Sequence, residues 1–183
     1  MVRRMTSTFE RFDRAELRFC RALNRSAGLA SIRQLFRAVS WLGDGWFWYA
    51  LMLGLPWASG AAGLGAAVHM AVTGAVGLVA YKAIKGHAVR ERPYITHSGI
   101  QCAPAPIDRY SFPSGHTLHA VSFTMLMTSY FPQWWAVLVP FAVLVALSRV
   151  VLGLHYPTDV AAGAALGGGL AMASIEIGAR IAG

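Results

Sequence analysis

Residues 45–81, GWFWYALMLGLPWASGAAGLGAAVHMAVTGAVGLVAY, contain no Lys, Arg, Asp or Glu. A helix that crosses the hydrocarbon core of a bilayer needs about 20 mainly apolar residues, within a range of about 17–25, so this stretch holds a tight pair of such helices. Two more stretches without these charges run between Tyr110 and Ser148 and between Val160 and Ile175. The first fits another pair, and the second holds one helix with help from its flanks. Five spans are therefore expected, at Gly45–Ala62, Leu64–Lys82, Gly115–Phe131, Trp134–Leu152 and Thr158–Ile181. The fold class that follows is all-α, a multi-pass membrane helical bundle. A 56% hydrophobic composition and a mean hydropathy of +0.48 agree with a bilayer as the solvent.

Nine of the sixteen basic residues precede the first span: Arg3, Arg4, Arg11, Arg14, Arg18, Arg21, Arg25, Arg33 and Arg37. Between them Phe9, Phe12, Phe19 and Leu23, and then Ile32, Leu35, Phe36, Val39 and Leu42, recur at helical spacing. Arginine at a helix centre costs roughly 2.5–3.5 kcal/mol on insertion scales, so neither piece spans. Both read as interfacial amphipathic helices, which divides the chain into a basic interfacial segment, 1–44, and a membrane-embedded domain, 45–183. The net charge of +8 then points to anionic membrane lipids, at about 1 kcal/mol per juxtamembrane cation, and not to nucleic acid. No secretory signal peptide is expected, because the first strongly apolar stretch begins beyond Trp41 without a small-residue cleavage pattern. Trp41, Trp46, Trp48, Trp57, Trp134 and Trp135 lie near span ends, as in an aromatic belt. Cys20 and Cys102 fit neither a metal motif nor a disulfide framework.

The long polar connection between the second and third spans, Ile84–Pro113, carries Pro93, Pro104, Pro106 and Pro113, and such a loop is usually functional. Parity places it on the same membrane face as the N-terminus and the turn at Gly153–Pro157. Lys85, Arg92 and Arg149 converge there, and cations at span ends with few carboxylates nearby call for an anion. Arginine's fork pairs with phosphate oxygens and lysine adds a point charge. Ser114 suits an N-cap, and Gly115 lets a ligand approach the backbone at a helix N-terminus. His155 sits on a tight turn with Asp159 four residues on, so a carboxylate can hold one imidazole nitrogen while the other attacks. His116 supplies a second imidazole suited to protonating a leaving alkoxide. The acids near this face, Asp44, Glu91, Asp108 and Asp159, form no metal-ligand pattern, so neither a metal nor another cofactor is expected. His69 and His119 are read as structural, while His87 and His97 lie in the loop.

Lys85-x6-Arg92-Pro93, Pro113-Ser114-Gly115-His116 and Ser148-Arg149-x5-His155-x3-Asp159 resemble the three-part signature of type-2 phosphatidic acid phosphatases, shared with vanadium-dependent haloperoxidases. The resemblance covers roughly Lys85–Asp159 by motif and the surrounding helices by hydropathy. It implies a phosphatase in which His155 attacks phosphorus, Asp159 orients it and His116 protonates the leaving oxygen. Lys85, Arg92, Ser114, the Gly115 N–H and Arg149 would hold the phosphate oxygens. The expected substrate is an amphiphilic lipid phosphate of the phosphatidate, phosphatidylglycerophosphate or isoprenoid diphosphate type.

Three other readings predict different features. A haloperoxidase keeps the motif but is implied to be soluble, against five spans. A silent protein that binds or translocates lipid phosphates has no need of His116, His155 and Asp159 together. A channel or transporter places polar residues at midplane, whereas these charges gather at one interface. The location expected is the cell's inner membrane, with the N-terminal arginines placing the catalytic face toward the cytoplasm.

Overall fold

The computed structural model describes residues 2–102 and 108–182, and among these it holds helices and no strand. Pro104 and Pro106 lie outside the described residues, as do the side chains of Arg3, Arg4, Phe9 and Phe12. Helix α1 (Val2–Ser26) leads into α2 (Ala30–Trp41), a π-helical turn (Leu42–Trp46) and α3 (Phe47–His87). The short α4 (Pro93–Thr96) precedes α5 (Gly115–Tyr130), α6 (Trp135–Val151) and α7 (Pro157–Ala182). Three helical stretches are long and apolar enough to cross a membrane: Ala30–His87, Pro132–Val151 and Pro157–Arg180.

The first of these reverses direction within α3. Gly60 has φ 55° and ψ −133°, a backbone that side-chain-bearing residues rarely adopt. A Cβ on Gly63 would lie 2.0 Å from the Leu55 carbonyl oxygen, so limbs 47–59 and 61–87 pack back on each other. The first limb starts at Phe47 and not at Gly45, because Gly45 breaks the helix at φ 124°. On the second limb Leu64, Val68, Val72, Val76 and Val79 are exposed at near i, i+4 spacing. That continuous apolar face is the surface a lipid-facing helix presents.

Helix α5 is the centre of the bundle, packed by α3, α6 and α7. Cβ atoms on Gly163 and Gly167 of α7 would stand 2.4 and 2.2 Å from the carbonyl oxygens of Ser114 and Leu118. Only hydrogen fits there, and the two backbones meet as small-residue membrane helices do. Away from the polar end, the core is built on Trp48, Met70, Phe123, Leu126, Met127 and Leu138. Trp48 therefore departs from the aromatic belt expected for it. It is fully buried, with ring centroids 5.4 Å from Phe123 and 5.6 Å from Phe141, while Trp57 is 93% exposed.

The N-terminal segment is helical, but α1 presents a different face to the bundle from the one its phenylalanines mark. Phe19 is exposed, whereas Glu16, Cys20, Asn24 and Ala27, spaced along one side, are buried. Asn24 donates to the carbonyls of Gln101 (2.8 Å) and Val151 (2.9 Å) and accepts from the Gln101 N–H (2.8 Å). Polar pairing by Asn24 and an apolar cluster of Cys20, Ile100 and Val150, with Leu17 and Leu23 packed against it, hold the docked face. His69 is structural: its ring nitrogens meet Tyr130 Oη at 3.0 Å and the Ser174 hydroxyl, joining α3, α5 and α7.

Candidate active site

The chain signals that end α3 and α6 and start α5 and α7 all fall at one end of the bundle. Pro93 at the first position of α4 lets Arg92 stand just before that helix in extended backbone, φ −74° and ψ 151°. Gly153 closes α6 at φ 72°, and a Cβ there would meet the Gln101 carbonyl oxygen at 2.5 Å, so both conformation and space require glycine. The turn then folds back on α6: the N–H groups of Leu154 and His155 both donate to the Arg149 carbonyl at 3.0 Å. His155 and Arg149 are thereby fixed to each other by backbone.

His155 is 2% exposed. Arg92 Nη1 donates to the Leu154 carbonyl at 2.9 Å and faces His155 Nε2 at 3.2 Å. A guanidinium only donates, so Nε2 carries the lone pair and the proton sits on Nδ1. Nδ1 faces Asp159 Oδ2 at 3.7 Å, longer than a hydrogen bond. Asp159 Oδ2 accepts from the Tyr156 N–H at 2.8 Å, and Oδ1 accepts from Arg90 at 2.7 Å. Burial pushes the His155 imidazole down to about 3, with the charges of Arg149 and Arg92 acting in the same direction. The ring is therefore neutral, as an attacking nitrogen must be.

The cations expected from the sequence share one cavity with this nitrogen. Lys85, Arg92, Gly115, His116, Arg149 and His155 line one cavity of about 1290 Å³. Arg149 is buried, with Nη1 on the Ser40 hydroxyl and its Nε without a partner among the described residues. Such a buried, unsatisfied donor is costly unless a ligand completes it. The rest of the cavity wall mixes apolar residues, including Met52, Leu53, Ala71 and Leu78, with polar ones, including Arg37, Ser40, Asp44 and Asp108. Gly115 lies against Tyr81, whose ring a Cβ would approach to 3.3 Å. The ring nitrogens of His119 face the carbonyls of Gly115 (3.0 Å) and Gly74 (3.2 Å), and the nitrogen that carries the proton donates to one of them.

Ser114 and Asp159 are placed behind the cavity surface. Ser114 occupies the position before α5, but its hydroxyl makes no capping bond and instead meets Thr117 Oγ1 at 3.0 Å. Its N–H donates to the Asp159 carbonyl at 3.1 Å, which ties the starts of α5 and α7.

Two carboxylates join the site that sequence reasoning read only as failed metal ligands. Asp44, on the π-helical turn, holds His116 Nε2 at 2.9 Å. Asp108 receives Lys85 Nζ at 2.9 Å and Arg92 Nη2, and its carbonyl receives Arg92 Nε at 3.0 Å. Burial alone would raise the Asp108 carboxyl, but the Arg92 and Lys85 hydrogen bonds outweigh it and hold the group below its ordinary value. The available signal was scarcity: an isolated acid close to a convergence of cations. Among the described residues no cluster of three or more His, Cys, Asp or Glu has the arrangement of a metal site. The cavity can thus receive an anion against fixed cations, with a neutral imidazole at its floor and a second imidazole in its wall.

A family model described as the PAP2 superfamily matches residues 62–181. The undecaprenyl-diphosphatase of Sulfolobus acidocaldarius is 46% identical over 77 residues, covering 40% of this chain and 36% of that protein. The lipid A 1-phosphatase of Rhizobium etli is 36% identical over 70 residues, covering 38% and 30% respectively. The matched region is thus about a third of the length of these curated relatives. A crystal structure of a transmembrane PAP2 type phosphatidylglycerolphosphate phosphatase from Bacillus subtilis superposes with a TM-score of 0.74 at 21% identity. That match covers 93% of this chain and 87% of the other, a likeness of fold.

Proposed function

The chain belongs to the PAP2 superfamily, and on that premise we propose that it is a membrane phosphatase acting on an amphiphilic lipid phosphate or diphosphate through a phosphohistidine on His155. The observation that carries this reading is the position of His155 Nε2, 3.2 Å from Arg92 Nη1, in a cavity lined both by cations, Lys85, Arg92 and Arg149 among them, and by apolar side chains such as Met52, Leu53 and Leu78. A phosphate headgroup belongs at the first and a hydrocarbon chain along the second. The names of the curated relatives, an undecaprenyl-diphosphatase and a lipid A 1-phosphatase, support the same class of substrate.

In the proposed reaction His155 Nε2 bonds to phosphorus as the bond to the lipid oxygen breaks, and that oxygen takes the electron pair and a proton from His116. Water then attacks phosphorus, giving its proton to His116, and free phosphate leaves with His155 restored. Lys85, Arg92 and Arg149 neutralise charge on the equatorial oxygens, which is most of what phosphoryl transfer requires. The Gly115 N–H at the start of α5 adds a donor, and the Ser114 hydroxyl adds another once it turns from Thr117. Asp159 faces the Nδ1 proton while positive charge develops on the ring.

The carboxylates of the site are engaged by Arg90, Arg92, Lys85 and His116, so protein cations supply the charge. Phosphate release by the detergent-purified protein is accordingly expected to persist in excess EDTA. Phosphatidate, phosphatidylglycerophosphate and an isoprenoid diphosphate are the substrates to compare. Loss of activity restored by a divalent ion would overturn the metal-free mechanism. No release from any substrate would favour the silent lipid-binding alternative.

The membrane reading uses five crossings: the two limbs of α3, then α5, α6 and α7. The basic segment 1–44 lies along the interface of domain 45–183 against anionic lipids, and the inner membrane is the expected location. Its arginines share a face with the catalytic end and place that face toward the cytoplasm. A topology reporter fused after Gly183 then reads the opposite side, and a cytoplasmic signal would reverse the orientation.

A further inference from the structure

We propose that helix α1 is a working part of the active site, with Glu16 and Arg90 acting as positioning residues that fix the carboxylate of Asp159 behind His155. The proposal rests on the phosphohistidine reading above and extends it to a segment outside the signature.

Glu16 sits in a helix otherwise rich in arginine, yet its side chain is only 4% exposed. Both of its oxygens are used, one at the start of α7 and one on Arg90. Oε1 accepts the Thr158 N–H at 2.9 Å and the Thr158 hydroxyl, and Oε2 accepts Arg90 Nη2 at 2.6 Å. The other arm of the same guanidinium reaches Asp159 Oδ1 at 2.7 Å and Thr158 Oγ1 at 2.6 Å. Arg90 also lies over the Tyr156 ring, with Cζ 3.9 Å from the centroid. One planar cation is thereby locked between two buried carboxylates and an aromatic face.

The consequence falls on His155. With Oδ1 on Arg90 and Oδ2 on the Tyr156 N–H, the Asp159 carboxylate cannot rotate, and Oδ2 keeps facing His155 Nδ1. Burial would discharge Arg90, but Asp159 and Glu16 outweigh it and hold the guanidinium above its ordinary value. Arg90 does not line the substrate cavity, so its effect on the reaction passes through Asp159. An interfacial helix whose only task was to lie on lipid would have no reason to bury a carboxylate against the nucleophile's support. The exposed arginines of α1, Arg11, Arg14, Arg18, Arg21 and Arg25, and the buried Glu16 lie on different faces of the helix.

The test is a double-mutant cycle in the full chain, reading phosphate release from phosphatidate in detergent. Partners that orient a reacting side chain typically change activity by about 10–100-fold, and Arg90→Gln is expected to lower kcat within that range. Glu16→Gln is expected to lower it less, and KM stays within about twofold for both, since substrate binding is untouched. Asp159→Asn retains residual turnover, and in that background neither substitution lowers kcat further. Arg90→Lys restores charge without the fork and recovers only part of the rate. If Glu16→Gln does not fold, the cycle between Arg90→Lys and Asp159→Asn carries the same test. Losses that multiply undiminished in the Asp159→Asn background, or that appear in KM, would reduce α1 to a structural clamp. Turnover surviving in His155→Ala would instead remove the underlying mechanism. An inactive His155→Ala with an additive cycle removes this inference alone.

Discussion

Replacing His155 with alanine is expected to bring phosphate release down to background, a loss on the order of 10⁴–10⁶-fold in kcat if the residue is the nucleophile of a unit that acts together. The lipid should still bind, because Lys85, Arg92 and Arg149 remain. Steady-state phosphate release together with equilibrium binding of the lipid phosphate separates the two effects. Full turnover in the variant would dismiss the phosphohistidine. The wild-type pH behaviour gives a companion check. The ordinary histidine value is 6.5 and the folded value is about 3, so below about 6.5 the unfolded chain binds a proton that the folded one refuses. The contribution of this residue to stability is present above that pH and is lost progressively as pH falls toward 3. Unfolding measured across that window should depend less on pH in His155→Ala.

Arg92→Ala is expected to lower kcat/KM by about 10³-fold or more, the scale found when an arginine that neutralises phosphoryl charge is removed. A factor of 10³ corresponds to about 4 kcal/mol of lost transition-state stabilisation. The side chain is 3% exposed and bonds Asp108 and the Leu154 carbonyl while facing His155. Its loss removes a proposed phosphate ligand and loosens the turn that carries His155. Arg92→Lys should recover little, because one ammonium cannot reproduce a fork that meets several acceptors in different directions. Kinetics of both variants check this, and near-wild-type kcat/KM in Arg92→Lys would show that charge alone suffices.

Much of this arrangement was legible in the chain because it is local. Charge-free lengths mark the helices, and Gly153, Pro157 and Pro93 mark turns whose geometry depends on one or two residues. Fixed spacing between Arg149, His155 and Asp159 places these three residues at one turn. Partners distant in sequence were not legible. Glu16 meets Thr158, Asp44 meets His116 and Asp108 meets Lys85 and Arg92, and nothing within any one of those segments announces the other. Trp48 shows the same limit, since a tryptophan near a span end reads as interfacial until α5 and α6 supply Phe123 and Phe141 around it. The docked face of α1 was hidden for a related reason: aromatic spacing is conspicuous, whereas a single glutamate, an asparagine and a small apolar cluster hold the orientation.

Asp108 has a consequence for what can enter. Its carboxylate sits between Lys85 and Arg92, so the resting site already contains a tenant of the right sign. An arriving headgroup must displace it, and the displaced side chain, 50% exposed, has water to receive it. Singly charged anions exchange like for like and win little, whereas a doubly charged phosphate ester gains on the exchange. On the proposed function, Asp108 therefore favours a phosphate monoester over carboxylates and phosphodiesters at this position.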